Sequence, residues 1–166
     1  MGKEIYRNRV IAITGHRPDK LGGYSEDIYR RLVEMYVHVF KDLRPARVIS
    51  GMALGADQAA AEAAISLEIP VIAAVPFEGQ ESRWPEMSQI QYHNILDRCS
   101  EVVVVCDGGF AGWKMQKRNE WMVDHSELLL TLWNGTPGGT GNCVEYAKKV
   151  KKEMLHLWVF WKERTY

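Results

Sequence analysis

The residues best suited to chemistry in this sequence are glycines followed by small polar and charged side chains, in three separate segments. The segments read TGHRP at 14–18, SGMALGAD at 50–57 and NGTPGGTGN at 134–142. Glycine lets the backbone approach a ligand closely, and a helix N-terminus offers unpaired N–H groups and a positive dipole end to an anion. The three segments therefore predict a site for a phosphate-bearing ligand, either a nucleotide or a sugar phosphate.

The strongest of these signals is the glycine cluster at 138–141, because it directly precedes a predicted helix. None of the segments continues into Gly-Lys-Ser/Thr, so ATP hydrolysis by a Walker A loop is disfavoured. The predicted ligand-binding residues are Thr14, Gly15, His16, Arg17, Ser50, Gly51, Gly55, Asp57, Gly138, Gly139, Thr140, Gly141 and Asn142.

Structural roles for the same residues remain open alternatives. The glycines can serve the turns alone, and His16 can be a structural histidine. Asp57 can cap a helix instead of binding a ribose. Asn142 and Glu145 have the spacing of a capping box, and Arg118 lies in a charged run typical of a solvated helix face.

The elements that position these segments follow from hydrophobic periodicity. Short apolar, β-branched runs alternate with segments that can be helical, and Ser25 is placed to cap a helix that continues with helical spacing to Leu43. This alternation predicts a single Rossmann-like doubly wound α/β domain over residues 1–166, with a mainly parallel sheet and helices on both faces. The predicted strands are 9–14, 47–50, 70–75, 101–106, 128–133 and 156–161.

All three glycine segments leave the carboxyl ends of predicted strands, where open α/β sheets bind their ligands. They are therefore expected at one edge of the sheet. The long polar and aromatic loop at 76–88 follows another strand at this edge and is a candidate lid.

Composition excludes several other classes of protein. Twenty-one basic residues balance twenty-one acidic ones, so no overall field attracts nucleic acid or an anionic membrane. No apolar run is long enough for a membrane span, and the start lacks the apolar core of a signal peptide, so we expect a cytoplasmic protein. The three cysteines form no C-x-x-C pair and the histidines show no metal-ligand spacing; neither a metal nor a cofactor is expected.

The motifs together resemble the SLOG superfamily of Rossmann-like nucleotide-binding proteins, and specifically its YpsA-like branch. This superfamily unites DNA-processing protein A with the LOG-type phosphoribohydrolases. The resemblance covers nearly the whole chain. It rests on TGHRP at 14–18 with Leu21-Gly22, SGMALGAD at 50–57, PFEGQE at 76–81, MQKRN at 115–119, and WNG at 133–135 with GGTGN at 138–142.

At longer range, PGGTGNCVE at 137–145 is similar to the Pro-Gly-Gly-x-Gly-Thr-x-x-Glu stretch of the LOG enzymes. Those enzymes cleave the N-glycosidic bond of cytokinin-type nucleoside 5′-monophosphates. The resemblance implies catalytic roles for Arg118 and Glu145, and it favours a homodimer. Asn142 and Asn119 stand where the enzymes have threonine and lysine.

These observations leave several functions open. The leading hypothesis is binding of a nucleoside monophosphate or an ADP-ribose-like ligand, with the phosphate at 138–141 and the ribose near Gly51, Gly55 and Asp57. Hydrolysis of the N-glycosidic bond would add catalysis by Glu145 and Arg118. The alternatives are a non-catalytic nucleotide sensor or sponge and, less favoured because of the neutral charge, a single-strand DNA-binding module.

Overall fold

Strands and helices alternate through residues 4–163, the part of the chain that the structure, a computed structural model, describes. Short 3₁₀ turns lie at Glu4–Tyr6 and Pro18–Lys20. The remaining elements are β1 (Val10–Gly15), α1 (Glu26–Leu43), β2 (Arg47–Ser50), α2 (Ala56–Ser66), β3 (Val71–Val75), α3 (Glu86–Asp97), β4 (Glu101–Val104), α4 (Gly112–Asp124), β5 (Leu128–Leu132), α5 (Gly139–Lys149), β6 (Met154–His156) and α6 (Trp158–Glu163).

The six strands form one parallel sheet in the order β4-β3-β2-β1-β5-β6. The chain builds the sheet outward from β1 to β4, then returns to the other side of β1 for β5 and β6. The strand order therefore reverses between β1 and β5, whose register pairs Ile11 with Leu128 and Gly15 with Leu132. Ligands of open α/β sheets bind outside the carboxyl ends of the strands at such a switch point.

The sheet separates two apolar clusters, because successive side chains of a strand point to opposite faces. Ile11 and Ile13 pack into a cluster with α1 and α2, where the Tyr36 and Phe40 rings stack. Ala12 belongs to the opposite cluster, which includes side chains of α4 and α5. Helices on both faces confirm the predicted doubly wound α/β fold.

Helix α1 begins as the sequence predicts. The Ser25 side chain accepts a hydrogen bond from Ile28 N at 3.3 Å and caps the helix. Its buried residues recur at three- and four-residue intervals, which lays one face of α1 on the sheet and on α2.

The last predicted strand, at 156–161, is wrong. β6 ends at His156, and the following residues form α6. A short apolar run fits a buried strand or a buried helix equally well, so periodicity alone does not separate them. Contact with α1 favours the helix here, since Leu157 and Trp161 are both buried and the Arg31 guanidinium lies 3.7 Å from the Trp161 ring centre.

Candidate functional site

A cavity of about 290 Å³ opens at the switch point between β1 and β5. The loop after β1 forms one wall, the loop after β5 and the start of α5 form another, and side chains from α2 and α4 complete it. The lining residues are Thr14, Gly15, His16, Arg17, Asp19, Lys20, Ala53, Asp57, Met115, Arg118, Asn119, Thr136, Pro137, Gly138, Gly139, Thr140 and Gly141.

The glycine loop before α5 presents bare backbone to this cavity. Gly138 has φ +146°, a conformation that side chains rarely adopt, and a Cβ at Gly138 or Gly139 would meet no atom within 4 Å. Asn142 N, which donates to Gly138 O at 2.9 Å, makes the first hydrogen bond of the helical ladder. The N–H groups of the preceding turn are the ones that a helix start leaves for an anion.

This early helix start rules out the alternative in which Asn142 and Glu145 form a capping box. Gly138 is the N-cap of α5, so Asn142 lies inside the helix and does not cap it. Asn142 does not line the cavity, and the Glu145 side chain is 68% exposed and paired with Lys148 at 3.4 Å. The structure therefore separates Glu145 from the cavity that Arg118 lines.

Cationic side chains from the loop after β1 add to the dipole of α5. Arg17 and Lys20 both line the cavity, and Lys20 Nζ donates to Thr136 Oγ1 at 3.0 Å across the switch point. Asp19 is the acidic side chain on the same loop.

His16 ties the two loops of the switch point together. Its Nε2 lies 2.8 Å from Asn134 Oδ1 and 3.0 Å from Asn134 N. Burial lowers the pKa of His16, which favours a neutral ring. The structural alternative for His16 is thus well supported, although the residue also lines the cavity.

Arg118 is held in the cavity wall by the backbone. Its side chain is buried, so the solvated-face interpretation is wrong for this residue. Nη1 donates to Gly51 O at 2.6 Å and Nε donates to Asn119 Oδ1 at 3.2 Å. Burial lowers the pKa of Arg118, and the nearby Asp57 carboxylate partly offsets that effect.

Asp57 is the second residue of α2 and is 6% exposed. Its Oδ2 accepts a hydrogen bond from Ala53 N at 3.3 Å, while Gly55 stands at the N-cap position of α2. Burial raises the pKa of this carboxyl to about 6, although the Arg118 charge acts in the opposite direction. A carboxyl and a guanidinium therefore share the wall of one cavity.

The other predicted residues of the segment at 50–57 contact or adjoin Asp57 and Arg118 and do not reach the cavity themselves. Ser50, Gly51 and Gly55 do not line the cavity. Ser50 Oγ donates to Asp57 O at 2.7 Å, and a Cβ on Gly51 would lie 2.6 Å from Arg118 Nη1 and 2.9 Å from Asp57 Oδ2. Glycine at 51 thus leaves the space that both charged groups need.

Sequence reasoning missed several lining residues. Asn119 is buried, and its Nδ2 donates to Gly139 O at 3.3 Å, which joins α4 to the glycine loop. Lys20 and Asp19 extend the predicted segment at 14–18 along the same loop, so their proximity in the chain was an available signal. Ala53 and Met115 lie within the motifs at 50–57 and 115–119, but their apolar side chains gave no reason to expect them at a ligand site.

The loop at 76–88 does not act as the predicted lid in this structure. None of its residues lines the cavity. Phe77 is buried, and Gln80 Nε2 donates to Gly51 O at 3.2 Å. These contacts hold the loop against the turn that follows β2 and help to position that turn.

No helix within residues 4–163 is long and apolar enough to cross a membrane.

Two curated relatives are similar along much of their length. The uncharacterized SPbeta prophage-derived protein YoqJ of Bacillus subtilis is 38% identical over 119 residues, which cover 62% of this chain and 70% of YoqJ. The UPF0398 protein BH1768 of Halalkalibacterium halodurans is 29% identical over 158 residues, covering 87% of this chain and 83% of the relative.

Solved structures share the fold at low sequence identity. DNA processing protein A of Streptococcus pneumoniae superposes with a TM-score of 0.66 at 17% identity; the match covers 92% of this chain but only 51% of that protein. The Helicobacter pylori protein, described by its single-stranded DNA binding mode, has a TM-score of 0.65 at 17% identity, with 94% and 68% covered. The Moco carrier protein of Chlamydomonas reinhardtii has a TM-score of 0.55 at 17% identity, with 96% and 85% covered.

The family model described as the YspA SLOG family matches residues 11–160, which is most of the chain. The glycine turns and the switch-point cavity fall within the matched residues, as does the parallel sheet apart from Val10. This chain belongs to the YspA SLOG family.

Proposed function

We propose that this protein binds a nucleotide in the switch-point cavity, with the phosphate at the start of α5. The observation that carries the proposal is the open backbone at Gly138 and Gly139, which faces a cavity also lined by Arg17 and Lys20. Backbone N–H groups, a helix dipole and two cations at one place favour a phosphate over any neutral group.

The size of the cavity favours a small nucleotide. Ligand pockets typically span about 300 to 1,000 Å³, and this one, at about 290 Å³, lies at the lower end. A nucleoside monophosphate with its base partly outside fits this volume better than an ADP-ribose-like ligand does.

Recognition of single-stranded DNA is a weaker proposal. The Helicobacter pylori neighbour is described by such binding, but its likeness to this chain is one of fold. Binding to a phosphate backbone depends on many cationic contacts, and the acidic and basic residues of this chain balance. A single phosphate site serves a small nucleotide better than an extended strand.

Thermal unfolding tests the phosphate site directly. A nucleoside 5′-monophosphate should raise the unfolding temperature, and the matching nucleoside should raise it far less, because the phosphate contacts dominate binding. Gly139→Asp should abolish the shift by placing a negative charge where the phosphate binds.

Gly112→Asp is the matched control for this variant. Gly112 is likewise the first residue of a helix, a Cβ there would also meet no atom within 4 Å, and it lies outside the cavity. Its nucleotide response should equal that of the wild type. Equal shifts from nucleotide and nucleoside, or an unchanged response in Gly139→Asp, would refute the phosphate site.

Hydrolysis of the N-glycosidic bond remains a separate question, because Glu145 lies outside the cavity. We expect Glu145→Gln to leave nucleotide affinity unchanged, along with any base release that the wild type shows. Chromatography of base released from a panel of nucleoside monophosphates measures this. Loss of base release in Glu145→Gln would restore the catalytic role, whereas tight binding without release from the wild type would favour a sensor or sponge.

A further inference from the structure

The switch-point cavity is lined by a carboxylate that the protein interior leaves partly unsatisfied. Asp57 Oδ2 accepts a hydrogen bond from Ala53 N, but Asp57 Oδ1 is buried and has no hydrogen-bond partner among residues 4–163. Buried polar atoms are normally hydrogen-bonded, since leaving one unpaired is costly. Tyr29 Oη, Tyr36 Oη and Glu81 Oε2 are also buried and unpaired among the described residues, but of these four residues only Asp57 lines the switch-point cavity. Its position there points to a ligand group as the missing partner.

The charge of Asp57 limits what that group can be. A carboxylate repels a phosphate, so Asp57 does not serve the end of the ligand that lies at Gly138 and Gly139. It needs a hydrogen-bond donor. A ribose 5′-phosphate carries its 2′ and 3′ hydroxyls on the side of the sugar away from the phosphate, and both hydroxyls can donate to a carboxylate.

The carboxylate is also held in place before any ligand arrives. Asp57 lies in the first turn of α2, and its carbonyl accepts a hydrogen bond from Ser50 Oγ at 2.7 Å. Gly51 and the Arg118 guanidinium confine its other side, since a Cβ on Gly51 would touch both charged groups. Because the carboxylate is already ordered, binding costs little conformational entropy at this residue. It therefore discriminates strongly between ligands that carry a hydrogen-bond donor at this position and ligands that lack one.

We propose, on the basis of the nucleotide-binding function above, that Asp57 Oδ1 accepts a hydrogen bond from the ribose 2′,3′-diol of the bound nucleotide. The ligand class is then a ribonucleoside 5′-monophosphate. The deoxy analogue that lacks the donating hydroxyl, 2′ or 3′, would leave the buried oxygen unpaired.

Calorimetric titration of the wild-type protein tests this selection. The probes are the 5′-monophosphates of adenosine, guanosine, cytidine and uridine, each with its 2′-deoxy and 3′-deoxy counterpart. A lost hydrogen bond to a charged acceptor weakens binding by about 10- to 100-fold. We expect that loss for at least one deoxy analogue of every ribonucleotide that binds.

Asp57→Asn tests the residue itself. The asparagine can keep the hydrogen bond from Ala53 N, but it places a neutral N–H₂ donor where the charged Oδ1 acceptor stands. A ribose hydroxyl can then only accept a weaker, uncharged hydrogen bond, so the preference for ribose should fall by about fivefold or more while deoxynucleotides still bind. Asp27→Asn is the matched control, because Asp27 is also the second residue of a helix and lies outside the cavity. It should keep the full preference. Circular dichroism verifies that both variants fold.

The outcomes separate the two proposals. Equal affinity of the wild type for ribonucleotides and both deoxy series would overturn the role of Asp57 and leave nucleotide binding intact. A full ribose preference in Asp57→Asn would also overturn it. If no nucleotide binds the wild type, the nucleotide site itself is wrong and the selection by Asp57 fails with it. The wild-type comparison stands even if the variant misfolds.

Discussion

At the scale of single residues, the site contains charges that burial makes costly. Arg118 and Asp57 are both buried, and the protein surrounds Arg118 with backbone carbonyls while leaving one oxygen of Asp57 unpaired. Such an arrangement lowers the stability of the folded state, and natural proteins accept that cost where function requires it.

The cost of burying the Asp57 charge can be measured as a change in the free energy of unfolding with pH. Burial raises the pKa of Asp57 from 3.8 to about 6. Folding therefore favours the protonated carboxyl. Its contribution to the free energy of unfolding is fully present below about pH 4 and is lost as the pH rises through about 6. The two-unit difference corresponds to about 3 kcal/mol.

Asp57→Asn removes this pH dependence because the amide mimics the protonated carboxyl. At pH 7 the variant should exceed the wild type in free energy of unfolding by up to about 3 kcal/mol, and below pH 4 the two should be nearly equal. Urea denaturation at several pH values measures the difference. A difference that is constant between pH 4 and 7 would contradict the buried, charged carboxylate.

At the scale of elements, the turn between β2 and α2 uses its two glycines for different purposes. Gly55 has φ +93°, and a Cβ there would lie 2.7 Å from the His16 carbonyl oxygen, which belongs to the backbone of the neighbouring loop. At Gly51 the nearest atoms are instead the ends of the Arg118 and Asp57 side chains. One glycine maintains the fold of the turn and the other makes room for the site.

Alanine substitutions should separate these purposes. Gly51→Ala displaces the two charged groups, so we expect at least a tenfold loss of nucleotide affinity with destabilisation of about 1 kcal/mol, the low end for overpacking. Gly55→Ala adds backbone strain to a backbone clash and should cost about 3 kcal/mol or more. Urea denaturation and nucleotide titration of both variants measure the contrast. Equal effects of the two on stability and affinity would show that the glycines share one role.

At the scale of the whole molecule, the two apolar clusters share one sheet, so residues 4–163 should unfold in a single transition. Cys143 reports on the cluster beneath α4 and α5, since it is fully buried and burial raises the pKa of its thiol to about 11. In a variant with Cys99 and Cys106 replaced by serine, thiol labelling and circular dichroism should follow the same urea curve. Labelling at lower urea would show that this side of the sheet opens separately.

Much of the fold was predictable because its signals are local. Apolar runs placed β1 to β5 within one or two residues, and Ser25 marked the start of α1. Where local signals are ambiguous the prediction was wrong. The run at 156–161 fits a strand or a helix by periodicity, and the glycines at 138–141 allow α5 to begin three residues before the predicted cap.

The sequence by itself determined the doubly wound α/β class and the glycine turns that gather at one edge of the sheet, because strand periodicity and glycine content depend only on neighbours in the chain. Tertiary structure alone decided which charged side chains meet there. Arg118 faces inward because it packs beneath Gly51, Glu145 faces outward on α5, and Asp57 keeps an unpaired oxygen beside the cavity. Burial and hydrogen-bond partners depend on segments far apart in sequence, and no local pattern records where those segments approach one another.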